Sequence, residues 1–148
     1  MADPRRTCCT LAVAVLVLLS FPNALSAQRG NDDKKPSLSL RGTPLMGFSP
    51  LRVRVTVDVR GGSDDYADFY CATVEWDWGD GTTSENSSDC EPYEAGKSTI
   101  RRRFTAEHLY RQQGTHKVVF RLKQKSRVVG AANTNVQVRS SAGAGLEG

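Results

Sequence analysis

The chain has 148 residues, a length typical of one domain. Hydrophobic residues make up 39% and charged residues 24%, which is ordinary for a globular protein, and no run reaches the roughly 18 apolar residues that a membrane-spanning helix requires. The composition therefore excludes a multi-pass membrane protein, a collagen-like chain and a large multidomain enzyme.

The first 27 residues have the pattern of an export signal. Arg5 and Arg6 give a short positive start, and residues 11–19 form an apolar core too short for a stable membrane anchor. Leu25-Ser26-Ala27 then supplies the small residues that favour cleavage after Ala27. We therefore expect a protein that is secreted to the extracellular space or the periplasm, with no transmembrane segment in the mature chain. An uncleaved anchor is the alternative.

Removal of residues 1–27 changes the charge and the cysteine count. The 20 basic and 16 acidic residues fall to 18 and 15 without Arg5, Arg6 and Asp3, and the resulting net charge of +3 is too modest to indicate a nucleic-acid partner. Cys71 and Cys90 remain, and thiols of exported proteins tend to oxidise. The simplest expectation is one disulfide, which would stabilise the fold by roughly 3 kcal/mol for a loop of about 20 residues. Two unpaired thiols are the alternative.

The mature chain divides into three parts. Residues 28–37 are polar and rich in turn formers, which predicts a flexible leader, and residues 140–148 are small and predict a disordered tail. Residues 38–139 form the predicted single domain, in which apolar and polar residues alternate with the period of two typical of half-buried strands. Several short strands separated by turn signals predict an all-β protein with a β-sandwich fold. The predicted strands are a short one at Leu38 and Leu40, then Leu51–Arg60, Ala72–Trp78, Ser98–Thr105, Thr115–Lys123 and Asn133–Arg139.

Two motifs carry a resemblance to a known family. The run Trp76-Asp77-Trp78-Gly79-Asp80-Gly81-Thr82 is followed by His108-Leu109-Tyr110 and then Gly114. In this combination residues 38–139 resemble the PKD domain (polycystic kidney disease repeat), an immunoglobulin-like β-sandwich of extracellular proteins. The chain departs from the family at His116, where an aromatic residue is usual, and in the long loop Ser84–Lys97.

The resemblance implies scaffold roles for the motif residues and transfers no catalytic role. Trp76 would fill the centre of the sandwich, Asp77 would face outward, and Asp80 would fasten the turn between Gly79 and Gly81. Tyr110 is placed like the tyrosine of a tyrosine corner, whose hydroxyl bonds to backbone upstream. The remaining residues of this structural motif are Trp78, His108 and Gly114.

Charge is segregated along the middle of the chain. Residues 61–96 contain ten acidic side chains and no Lys or Arg, whereas residues 97–127 contain ten basic side chains and one acidic one. We expect the two blocks to compensate each other across two neighbouring strands, and a dipolar surface for charged partners is the alternative. The facing side chains would be Glu75 and Asp77 on one strand and Arg121 and Lys123 on the other.

Two groups of residues are candidates for ligand contact. Aromatic side chains in the acidic loops could stack on a carbohydrate, and loop anchoring is the alternative for each. These are Tyr66, Phe69, Tyr70 and Tyr93. Arg101, Arg102 and Arg103 could contact an anionic glycan, lipid head groups or an acidic protein, and a solvated strand edge is the alternative.

Catalysis, metals and cofactors find little support in the sequence. The two histidines, His108 and His116, lie in no metalloprotease motif, no serine lies in a nucleophile elbow, and the cysteine spacing matches no zinc site. We therefore expect no enzyme activity, no cofactor and no metal site. Calcium stays a weak alternative, because Asp64, Asp65 and Asp68 cluster without the spacing of a calcium loop.

The sequence as a whole predicts a non-catalytic secreted interaction module that binds a protein or a surface polysaccharide. Its expected contact regions are the loops Asp64–Tyr70 and Ser84–Lys97 together with Arg101–Arg103. A cell-envelope spacer without a specific ligand is the second hypothesis, and a calcium-dependent adhesion module is the third.

Overall fold

The computed structural model describes residues 35–141, so the predicted export signal, residues 28–34 of the predicted leader and residues 142–148 of the predicted tail lie outside it. The described residues form strands and a single turn of 3-10 helix, which confirms the all-β class. The strands are β1 (Ser37–Thr43), β2 (Met46–Phe48), β3 (Leu51–Arg60), β4 (Thr73–Asp77), β5 (Thr83–Asn86), β6 (Arg103–Tyr110), β7 (Gly114–Gln124) and β8 (Arg127–Arg139), and the 3-10 turn is Ala67–Phe69.

The strands form two sheets. One has three strands in the order β1-β3-β6, and the other has five in the order β2-β8-β7-β4-β5. Neighbours are antiparallel except for β2, which pairs with β8 in parallel. The two stacked sheets confirm the immunoglobulin-like β-sandwich.

The core lies between the inner faces of the two sheets. In β3 every second residue is apolar, so the strand presents Val53, Val55 and Val57 to one side, where each is fully buried. In β7 the same alternation buries Phe120 and Leu122 completely. Burial of side chains of this size stabilises the fold by about 1.5–3 kcal/mol each, so the alternation alone specifies which face of each strand is covered.

The structure corrects several predicted boundaries. The strand predicted over Ser98–Thr105 is β6, which begins at Arg103 and continues to Tyr110. Ile100 is buried as predicted, but it lies outside the sheet, where its backbone N–H donates to the carbonyl of Asp64 at 2.8 Å. The start of the predicted Ser84–Lys97 loop is part of β5, which pairs with β4, and the last strand starts six residues early. β2 was not predicted, because its large side chains are exposed and show no apolar alternation.

Candidate interaction surface

The two tryptophans stand at the centre of a ladder of stacked rings. Trp76 and Trp78 alternate along β4 and its continuation, so both point inward and stack with centroids 5.7 Å apart and planes 9° apart. Trp76 also packs on Phe120 at 4.7 Å, and Trp78 stacks on His108 at 4.6 Å. The Tyr110 hydroxyl donates to the carbonyl oxygen of Trp78 at 2.9 Å, which ties β6 to the end of β4 across the sandwich. Burial raises the pKa of Tyr110, so the hydroxyl stays a donor.

The turn after Trp78 is fastened by Asp80. Its Oδ1 accepts hydrogen bonds from the N–H and the hydroxyl of Thr82 at 3.0 and 2.6 Å, and its Oδ2 lies 2.6 Å from His108 Nε2. Burial raises the pKa of Asp80, but the bonds to Thr82 and His108 outweigh it and lower that pKa overall. Asp80 therefore links His108 of β6 to the turn that contains Thr82.

The second histidine also belongs to the scaffold. His116 is buried and stacks on Tyr110 at 4.6 Å, in the position where the resemblance leads one to expect an aromatic ring. Its Nδ1 and Nε2 lie 3.3 and 3.2 Å from the carbonyl oxygens of Gly79 and Gln112. Gly114 faces the edge of this ring, since a Cβ there would lie 3.6 Å from Nε2. The motif residues are thus brought together in one structural cluster.

The three segments that the sequence nominated for ligand contact lie against one another. Tyr93 donates its hydroxyl to the carbonyl of Asp65 at 2.7 Å and packs on Tyr70, whose own hydroxyl donates to the carbonyl of Glu91. Phe69 is buried against the ring of Tyr66, so it cannot form part of a contact surface, which corrects its nomination. Tyr93 is the most exposed of the four nominated aromatics, and its hydroxyl is already used in holding the loops together.

The three consecutive arginines have different surroundings. The guanidinium of Arg102 binds the Asp64 carboxylate and the carbonyl oxygen of Gly61, so it closes the loop after β3. Arg101 lies over the ring of Phe104 at 5.1 Å, and Arg103 donates to Asp58 on β3 at 2.8 Å. The triplet is therefore not one continuous basic patch.

A disulfide joins Cys71, just before β4, to Cys90 in the loop between β5 and β6. Cys71 has a φ of +50°, so it does not continue the strand alternation of β4. A cavity of about 430 Å³ lies beside the disulfide. Part of its polar lining is occupied by internal bonds, since the Gln124 amide donates to the carbonyl of Tyr70 and Arg127 pairs with Asp68.

Removing the disulfide tests its contribution. The double variant Cys71→Ser/Cys90→Ser is expected to lose about 3 kcal/mol of the free energy of unfolding, because the unfolded chain regains the entropy that the cross-link removes across 19 positions. Urea unfolding measures the loss. Addition of a reductant should lower the stability of the parent protein to that of the variant and leave the variant unchanged, whereas a parent protein insensitive to reductant would contradict the assignment.

The acidic and basic blocks meet where β4 pairs with β7. Glu75 accepts from Arg121 and Lys123 at 2.6 and 2.7 Å, Lys123 also reaches Glu85 at 2.7 Å, and Asp77 lies 3.5 Å from Arg121. The hydrogen bond from Lys123, followed by that from Arg121, lowers the pKa of Glu75. The expected compensation between the blocks is therefore present on the outer face of the five-stranded sheet.

Three ion-paired carboxylates make the stability of the fold depend on pH. The pKa of Asp58, Glu75 and Glu107 is lowered in the fold by their cationic partners, so each contributes stability that is complete above its unfolded pKa and is lost as the pH falls through its lower folded pKa. We expect the melting temperature to stay level near neutral pH and to fall once the pH drops below the unfolded values of 3.8 for Asp and 4.5 for Glu.

The Glu75→Gln variant should melt lower than the parent protein at pH 7 and should lose less stability on acidification. Glu91→Gln, which removes an exposed carboxylate with no ion pair among the described residues, is the matched control and should follow the parent curve. Identical curves of melting temperature against pH for Glu75→Gln and the parent protein would contradict the proposed contribution of the Glu75 ion pairs.

The outer face of the three-stranded sheet carries a group of arginines that come from distant parts of the sequence. We name it the arginine face. Arg52, Arg54 and Arg60 lie on the outward side of β3, and the strand register places Arg41 of β1 and Arg103 of β6 beside them. Alternate arginines in the predicted strand Leu51–Arg60 were visible in the sequence, but their neighbours come from distant segments.

The chain was compared with family models, curated proteins and solved structures, and only solved structures are similar to it. No family model matches the sequence, and no curated protein matches it. Among solved structures, the PKD domain of an M14-like peptidase from a Thermoplasmatales archaeon has 17% sequence identity and a TM-score of 0.47, over 71% of this chain and 97% of that one. The chain resembles a PKD domain.

CARDB domains are also similar to this chain. The solution structure of a CARDB domain from Pyrococcus furiosus has 14% identity and a TM-score of 0.41, and it is matched over 71% of this chain and 96% of its own. Its crystal structure in complex with di-metal ions has 14% identity and a TM-score of 0.42, over 71% and 94%. At these identities the similarity to PKD and CARDB domains concerns the fold alone.

Residues 35–141 contain no group of three His, Cys, Asp or Glu side chains that could hold a metal ion, and no helix in that range is long and apolar enough to cross a membrane. The acidic residues considered for calcium have other partners, because Asp64 binds Arg102 and Asp68 binds Arg127.

Proposed function

We propose that this chain is a non-catalytic binding module of an exported protein, which attaches to a protein or polysaccharide outside the cytosol through its arginine face. The observation that carries the proposal is the contrast between the two outer sheet faces. On the five-stranded sheet Arg121 and Lys123 of β7 are held by acids of β4 and β5, whereas on the three-stranded sheet the arginines outnumber the acids and extend into solvent.

The remaining polar chemistry of the described residues supports a binding role over a catalytic one. His108 is engaged by Asp80 and a tryptophan ring, and His116 is enclosed between a tyrosine ring and two carbonyl groups. An enzyme needs a nucleophile or base that can reach a substrate. The disulfide supports an oxidising compartment, which agrees with the export signal predicted from the sequence.

Binding to a defined panel tests this function. The purified chain is immobilised and presented with envelope proteins, neutral polysaccharides and acidic polysaccharides, each with and without calcium. We expect saturable binding to at least one component that is retained when calcium is chelated, and heat-unfolded chain serves as the control. An absence of binding across the panel would overturn the proposal in favour of an envelope spacer. Binding that requires calcium would overturn it in favour of an adhesion module.

A further inference from the structure

The arginine face has an excess of positive charge that its own acids do not balance. Five arginines share it with two carboxylates, Asp58 and Glu107, so its net charge is +3. Asp58 is held by Arg41 and Arg103, and Glu107 by Arg54 at 2.6 Å and Arg52 at 3.7 Å. Each carboxylate is therefore shared between two cations, and Arg60 has no ion pair among the described residues.

The arginines form the outermost layer of this face. The side chains of Arg41, Arg52, Arg54 and Arg103 are 61%, 69%, 67% and 70% exposed, whereas those of Asp58 and Glu107 are 12% and 38% exposed. The hydrogen bond from Arg103 lowers the pKa of Asp58, so this acid stays ionised beneath the arginines. An approaching anion therefore meets guanidinium groups before it meets a carboxylate.

The dimensions of the arginine face fit an extended ligand. Outward residues of an antiparallel strand follow at about 6.8 Å, so Arg52 and Arg60 mark a track of about 27 Å along β3. Arg41 and Arg103 flank this track from the two neighbouring strands. Hydroxyl groups of Ser39, Thr56 and Thr105 lie between the charges and can both donate and accept hydrogen bonds.

We infer that the arginine face binds a linear acidic polysaccharide along β3, an inference that rests on the proposed function and specifies its ligand. The cations of this face are all arginine, whose planar guanidinium binds carboxylate and sulfate-like oxyanions through two parallel hydrogen bonds. The interspersed hydroxyls match the hydroxyls of sugar rings. Sulfate and carboxylate polymers share this chemistry, and separate probes distinguish them.

Other polyanions fit the arginine face less well. Single-stranded nucleic acid is held by aromatic platforms, and the outward residues of β1, β3 and β6 include no aromatic ring. A membrane surface would need apolar side chains that insert between lipids, and Leu109 is the one large apolar side chain that the alternation places on this face. Both polyanions are included in the test.

The test measures the affinity of the purified chain for heparin oligosaccharides, which carry sulfate, and for oligogalacturonates, which carry carboxylate. Neutral dextran, single-stranded DNA and vesicles with anionic lipid are the comparison probes. We expect binding to at least one acidic oligosaccharide, with affinity that rises with its length up to about 27 Å and weakens as salt rises from about 0.1 M to about 1 M.

The double variant Arg52→Ala/Arg60→Ala locates the site. Arg60 has no ion pair among the described residues, and Glu107, which lies 3.7 Å from Arg52, keeps its closer partner Arg54 at 2.6 Å. The fold should therefore keep nearly its full melting temperature while affinity falls about 10- to 100-fold. Lys117→Ala/Arg139→Ala removes the same charge from exposed positions of the other sheet and should change affinity less than about threefold.

The outcomes separate this inference from the proposed function. Equal affinity for dextran would overturn the inference and leave the proposed binding module with a ligand that is not acidic. Equal losses in the two double variants would place the ligand outside the arginine face and would overturn that part of the proposed function as well. Tighter binding to DNA or to vesicles would overturn the polysaccharide assignment. Failure to bind any component of the wider panel would instead overturn the proposed function.

Discussion

Replacing Trp76 with alanine is expected to lower the free energy of unfolding by about 3–5 kcal/mol. The indole is 5% exposed and packs between Trp78 and Phe120, so its removal opens a cavity that the two neighbouring rings cannot fill without leaving their own contacts. A small domain has only about 5–15 kcal/mol of stability, so the variant should unfold at much lower urea concentration. Circular dichroism measures this without relying on tryptophan emission.

Phe48→Ala is the matched control for Trp76→Ala. Phe48 is also aromatic and lies in a strand, but its side chain is 62% exposed, so its loss should change the free energy of unfolding by no more than about 0.5 kcal/mol. Comparable losses in the two variants would show that the core is not centred on the tryptophans and would contradict the packing described above.

Gly79→Ala is the second substitution with a large expected effect. Gly79 has a φ of +72°, and a Cβ there would lie 2.6 Å from the carbonyl oxygen and 2.7 Å from the nitrogen of Lys117. The methyl group therefore adds a collision with the backbone of β7 to the cost of a left-handed conformation. We expect a loss of about 2–5 kcal/mol in the free energy of unfolding.

Gly81→Ala separates these two costs. Gly81 has a φ of +89° in the same turn, but nothing lies within 4 Å of its Cβ position. This variant should lose only the conformational cost of about 1–2 kcal/mol. Parallel urea unfolding of both variants measures the difference, and equal losses would show that the turn does not need close approach to β7.

The sequence predicted the elements whose burial follows a simple alternation. β3 extends over Leu51–Arg60 as predicted, because five inward apolar residues alternate with five polar ones. β6 was predicted five residues too early, because Ile100 is buried by the loop near Asp64 and not by a sheet neighbour. Alternation reports burial, and it cannot distinguish burial by a sheet from burial by a loop.

The arginine face could not be predicted in the same way. The acidic and basic blocks are consecutive in the sequence, and their pairing across β4 and β7 is as predicted. The arginine face draws on β1, β3 and β6, whose contributing residues span Arg41 to Glu107 and meet only through the strand register. The residues of such a surface can be grouped only when the order of the strands in the sheet is known. Residue composition and the alternation of apolar residues do not specify that order.

The cluster of rings around Trp76 and Trp78 also gives the molecule an intrinsic fluorescent probe. Both tryptophans of the chain stand in it, stacked on each other and, through Trp78, on the imidazole of His108. All indole fluorescence therefore originates at one spot where β4, β6 and β7 converge. We therefore expect a change in emission to report the joining or parting of the two sheets.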